Sequence, residues 1–176
     1  MMKKKLIKYA IDLACSVDLE HGGFAGIFQY TEDGRFFVTD GCRILETETL
    51  IDDLALKDDS KMTANMKKYI DAVNELELDY QLYDLPTVEE IKEGIRGVCG
   101  RKLDTVVWSD GTITINARWL YKAMEALHAT KAYVSAAKPK NMPIFLCEND
   151  DPQSINRVLI MPIYNRDKVG YWLATV

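Results

Sequence analysis

The period of the apolar positions changes along the chain, and the changes divide it into segments. Between residues 3 and 16, Leu6, Ile7, Ala10, Ile11 and Ala14 recur at spacings of three and four, with Lys5 and Lys8 on the other side. That spacing predicts an amphipathic helix. "GGFAGIFQY" then reads as a strand, and "TEDGRFFVTDGCRILETE" as two more. Glu32-Asp33-Gly34 and Asp40-Gly41 supply the turns, because Asp and Gly tolerate positive φ. Further on, "TVVWSDGTITI" predicts a hairpin turning at Ser109-Asp110-Gly111. It runs into a helix from about Asn116 to Ala129, with Asn116 as the cap. Trp119, Leu120, Ala123, Met124 and Leu127 form the apolar side of that helix, and Arg118, Lys122 and Glu125 the polar side. Strands follow in "KAYVSAA", "MPIFLCE", "RVLIMPIYN" and "VGYWLATV".

Residues 49–103 interrupt this order. A helix is expected near 61–77, and another where Thr87 caps and Glu90 completes a capping box, with Gly97 or Gly100 ending it. From Glu46 to Arg96 there are fourteen acidic and six basic residues, an excess larger than the net charge of −5 on the whole chain. The segment reads as an acidic helical insertion on an outer surface. Outside it the order is helix and three strands, then helix and three strands again. We therefore expect an α+β fold, a duplicated helix-plus-strands unit with both helices on one face of a largely antiparallel sheet. One domain over 1–176 accommodates it, and a chain of this size buries a core without disulfides or metals.

The second unit resembles the last half-domain of a bacterial DNA sliding clamp, the polymerase III beta subunit. Three segments carry the resemblance in order: "INARWLYKAMEAL", "KPKNMPIFL" and "RVLIMPI". In the first unit, "FAGIFQYTEDGRFFVTDGCRILETE" is similar to the clamp's strand, Gly turn and T-D-G strand. The resemblance covers one clamp domain. It implies a DNA-clamp fold whose two helices aim basic residues at duplex DNA phosphates, with no base-specific contact. The matching residues are Lys3, Lys4, Lys5 and Lys8 on the first helix and Arg118 and Lys122 on the second, with Lys131 soon after, then Lys138 and Lys140. It also implies a groove for peptides of replication proteins beside the Met-Pro run, at Leu159, Met161, Pro162 and Ile163. Core packing is the alternative for this strand and is preferred for Val158 and Ile160. A clamp ring has six such domains, so a ring here takes six copies, a homo-oligomer, or a partner chain. The clamp's usual first strand is lacking, and "KVGYWLATV" is a candidate for its place.

Net charge argues against a chain coated in nucleic acid, but a local basic face is compatible with it. The rival reading is a protein-interaction module of the same fold, with no DNA binding. Cys15, Cys42, Cys99 and Cys147 form no CxxC pair, and we expect small buried thiols in a reducing cytoplasm. The run "MMKKKLIKYAIDLACS" is broken by Lys8 and Asp12, so it reads as a folded helix and not an export signal. No apolar run reaches membrane-spanning length. "HGGFAG" lacks a G-x-S-x-G partner, and "GVCGRK" lacks P-loop spacing. His21 and His128 gather no metal-pair carboxylates, and Glu148 to Gln153 reads as a solvated turn. We expect no enzyme, no metal and no cofactor.

Overall fold

Helix α1 (Met2–Cys15) forms where the first apolar stripe predicts one. Its buried residues are Leu6, Tyr9, Ala10, Leu13 and Ala14, while Ile7 and Ile11 are half-buried flank residues. The stripe is therefore turned towards Tyr9 and Leu13, because α1 is wedged between a sheet and a second helix. The computed structural model describes residues 2–15, 28–32, 34–57, 80–97, 106–109, 113–136, 143–162 and 171–174. The helix expected near 61–77, the turn residues Asp110-Gly111, Gly100, Lys138, Lys140 and Ile163 lie outside them.

After α1 come β1 (Phe28–Glu32), β2 (Arg35–Thr39), β3 (Arg43–Thr47) and β4 (Ala55–Lys57). Then follow β5 (Tyr80–Asp84), α2 (Val88–Gly97), β6 (Val106–Ser109), β7 (Thr114–Asn116) and α3 (Ala117–Leu127). The remaining strands are β8 (Lys131–Ser135), β9 (Ile144–Cys147), β10 (Arg157–Ile160) and β11 (Tyr171–Ala174). The fold is α+β. An eight-stranded sheet has the order β4-β1-β2-β3-β10-β9-β8-β5, and a small one the order β11-β6-β7. The meanders β1-β2-β3 and β8-β9-β10 meet at β3 and β10, which pair antiparallel with Glu46 opposite Arg157 and Leu45 opposite Val158. The central order is thus symmetric about that junction, as two copies of one unit would make it.

Side chains of the sheet alternate between its faces with period two. Val38, Leu45, Ala132, Val134, Ile144, Leu146, Val158 and Ile160 join α1 and α3 in one core cluster. Phe37, Phe145, Cys147 and Leu159 form a second cluster on the opposite face. There Phe145 stacks on Tyr133 at 4.5 Å between ring centres and meets Tyr80 edge-on at 4.9 Å. Both helices lie on one face. Val158 and Ile160 are core residues, as their alternation suggests. Among the described residues no helix is long and apolar enough to cross a membrane.

The stretch 49–103 is more than a helical excursion. Its described part adds β4 parallel to β1 and β5 antiparallel to β8, extending the sheet at both ends. Alternation in "YQLYD" is hidden because residues 81–84 of β5 are exposed on both faces. The capping box at α2 is present. Glu90 N donates to Thr87 Oγ1 at 3.2 Å, and Thr87 N donates to Glu90 Oε2 at 2.7 Å. Ile91 and Ile95 bury the inner side of α2 in the main core.

Glu46 is 1% exposed on the second face, held by Arg35 Nη1 at 2.6 Å and by Arg157 Nε from across the junction. Removing this carboxylate strands two guanidiniums, one of them nearly buried. We expect Glu46→Ala to lower unfolding free energy by about 3 kcal/mol in urea titrations. A second expectation concerns α2. The Thr87 amide, then its hydroxyl, hold the Glu90 carboxyl below its ordinary range. A carboxyl lowered by folding contributes stability above its unfolded pKa, lost as pH falls through the folded one. Glu90→Gln should therefore flatten the loss of thermal stability below the ordinary carboxylate pKa, read as Tm against pH.

Candidate nucleic-acid interface

The outward stripes of α1 and α3 define the site. On α1, Lys5, Lys8 and Asp12 follow at three and four residues, so one face carries all three. On α3, Arg118, Lys122 and Glu125 do the same. Asn116 starts α3 by accepting from Arg118 N at 2.9 Å and Trp119 N at 3.2 Å, a cap of about 1 kcal/mol. His128 ends the helix in the left-handed conformation, at φ 53°, and is exposed. The inward residues Leu120, Ala123, Met124 and Leu127 fix the rotation of α3, which aims Lys122 at α1.

Between the stripes runs a groove of about 380 Å³, lined by Lys5, Lys8, Tyr9, Asp12, Tyr121, Lys122, Glu125 and Ala126. Lys122 Nζ forms an ion pair with Asp12 Oδ2 across the helices. Glu125 is bound from the other side by Lys92 of α2, whose ammonium also lies 5.2 Å from the Tyr121 ring centre. The hydrogen bond to Glu125 raises the Lys92 pKa above its ordinary value. Among the described residues no ion pair engages Lys5 or Lys8, and both are exposed. Lys3 and Lys4 are exposed on the first turns of α1.

No family model, curated protein or solved structure matches the chain.

Arg43 supports the floor of the face. It is 3% exposed, and its Nη2 donates to Asp40 Oδ2 at 2.6 Å. Its guanidinium lies 5.0 Å from the Trp119 ring centre and 6.0 Å from that of Tyr9, one ring from each helix. Burial pushes the Tyr9 hydroxyl up to about 12, against the opposing charge of Arg43. That hydroxyl has no partner at hydrogen-bond geometry among the described residues, so the guanidinium acts on it chiefly through its field. Burial lowers the Arg43 pKa, but Tyr9 and Asp40 outweigh it and keep the group charged.

The structure brings Lys5, Lys8 and Lys122 to one groove, with Lys3 and Lys4 beyond it and a half-buried Arg118 on the α3 stripe. Lys131 is elsewhere. It alternates with Ala132 and Val134 of the helix-facing core and shares the side of Tyr133, 3.8 Å from Asp84. Leu159 is buried in the second cluster and Pro162 is buried, while Met161 is half-buried and donates its N–H to Cys42 O at 2.9 Å. Among these described positions a docking peptide would meet Met161 alone. Asp12, Glu125, Lys92 and Tyr121 were not expected at the site. Lys8 and Asp12 stand at helix-pair spacing, but no local signal joins Asp12 to a lysine 110 residues away.

The acidic turn uses its carboxylates internally. Asp150 accepts from the amides of Thr130 at 2.9 Å and Lys131 at 3.0 Å, and Glu148 accepts from Asn156 Nδ2 at 2.9 Å. Burial pushes the Cys147 thiol up to about 12, on the face away from His128 and the helices. The Asp12–Lys122 pair is solvent-accessible, with side-chain exposures of 44% and 24%. A double-mutant cycle on Asp12→Ala and Lys122→Ala should give a coupling of about 0.5 kcal/mol in chemical denaturation.

Proposed function

We propose that the protein is a non-enzymatic, clamp-like DNA-binding protein of the cytoplasm, an accessory to replication. The exposed face of α1 and α3 contacts the phosphate backbone of duplex DNA without reading sequence. One observation carries this reading: two helices lie side by side on one sheet face, with Lys5, Lys8 and Lys122 along the groove between them. Lysines on rigid helices hold phosphates as point charges, and their contacts carry no base information. Lys3 and Lys4 extend the basic surface along α1. Lys131 is on the opposite sheet face, so this reading omits it from the contact.

A second reading, a protein-interaction module of the same fold, is favoured by β5. This terminal strand of the large sheet exposes Leu82 at 49% and Tyr83 at 38%. Apolar residues on such a strand suit a protein partner better than a phosphate backbone.

Fluorescence anisotropy with non-specific duplex DNA across a salt series separates the two. DNA binding should weaken linearly in log K against log salt, with a slope of about −2 to −4 for two to four phosphate contacts. Lys5→Glu with Lys8→Glu should reduce the magnitude of that slope by about 2, equally for unrelated sequences. Folded protein that ignores duplex DNA at low salt leaves the interaction module.

A further inference from the structure

The groove carries two carboxylates, Asp12 and Glu125, whose charge opposes the approach of a phosphate backbone. Glu125 is already matched by Lys92, which leaves Lys122 to Asp12. The Asp12–Lys122 pair spans the gap between α1 and α3, so a phosphate settling into the groove must meet it. A carboxylate oxygen and a phosphate oxygen make the same kind of charge-assisted bond with an ammonium. The Lys122 ammonium has three N–H donors. Asp12 nevertheless neutralises its charge and holds it across the gap between the helices, so a phosphate at that position has to displace the carboxylate to gain the full attraction. Both partners are partly exposed, so the pair is weakly held and can exchange without unpacking the core.

We propose that Asp12 is an internal competitor for DNA phosphate at Lys122. The ion pair between α1 and α3 opens before Lys122 takes a phosphate, and Asp12 thereby sets the affinity of the face. Lys5 and Lys8 make the first contact, since no ion pair among the described residues engages them. Lys122 is the reserve cation, released only when phosphate displaces the carboxylate. This rests on the DNA-backbone reading above and adds its regulation.

The test uses the full chain as wild type, Asp12→Asn, Lys122→Gln and the double variant. Each is bound to non-specific duplex DNA across a salt series, with circular dichroism confirming the fold. Asp12→Asn should bind about fivefold tighter at low salt with an unchanged salt slope, because Lys122 holds the same phosphate in both complexes and only the competing carboxylate is gone. Lys122→Gln should remove that gain in the double variant. Wild type that binds no less tightly than Asp12→Asn overturns the proposal and leaves the DNA reading intact. A gain that survives Lys122→Gln also overturns it, because the effect would then be general charge. Failure of both wild type and Asp12→Asn to bind overturns the DNA reading and this proposal with it. A second measurement needs no variant. The side-chain ammonium resonance of Lys122, assigned by NMR, should shift as duplex DNA is added, and a resonance that stays fixed while the protein binds overturns the exchange.

Discussion

The antiparallel pairing of β3 with β10 is the constraint on which the rest of the structure depends. Four residue pairs make it, from Glu46 opposite Arg157 to Arg43 opposite Ile160. A slip of one residue would send Val158 and Ile160 to the opposite face and unpack both helices. The two faces of the junction guard its register differently. On the helix side, Leu45 and Val158 are fully buried beneath α1 and α3. On the far side, Glu46 is clamped by Arg157 and Arg35, a charge arrangement that any other register would break. Arg43, at the end of the same ladder, reaches up to one aromatic ring from each helix. Because each helix is tied to its own meander, joining the meanders places the helices side by side.

That placement determines the electrostatics of the outer face. Charges alternate across the three helices, from Asp12 of α1 to Lys122 and Glu125 of α3 and then Lys92 of α2. The sequence Glu89, Glu90 and Glu93 makes α2 acidic where it borders this row. Basic character is thus concentrated at the start of α1. Among the described lysines, Lys3, Lys4, Lys5 and Lys8 gather on one helix, while Lys92, Lys122 and Lys131 are matched in ion pairs. In the proposed function this limits the number of phosphates engaged, which suits a contact that must form and release.

Much of the architecture was legible in the chain because it follows local rules. The stripe of α1, Asn116 at the start of α3, the Thr87–Glu90 box and the strand alternation all depend on residues within a turn of each other. The rotation of α1 was less legible, since it is set by Tyr9 and Leu13 packing against the sheet and by Arg43 beneath Tyr9, contacts that no local spacing shows. β4 and β5 were illegible: the first is three residues long, and the second is exposed on both sides. At the site, the lysines of α1 and α3 were visible as helix faces, but their carboxylate partners were not. Pairs such as Asp12–Lys122 and Glu46–Arg157 join residues about as far apart in sequence as the two halves, and only the folded junction creates them. Lys131 shows the converse. Its position after the helix suggested the same face, but its register in β8 sends it to the other side.

The most direct test of the central claim is acetylation footprinting of lysines, read by mass spectrometry with and without non-specific duplex DNA at low salt. DNA should protect Lys5, Lys8 and Lys122 together and leave Lys131 unchanged. Protection of Lys131 with none on α1 or α3 would contradict a DNA-facing helix pair.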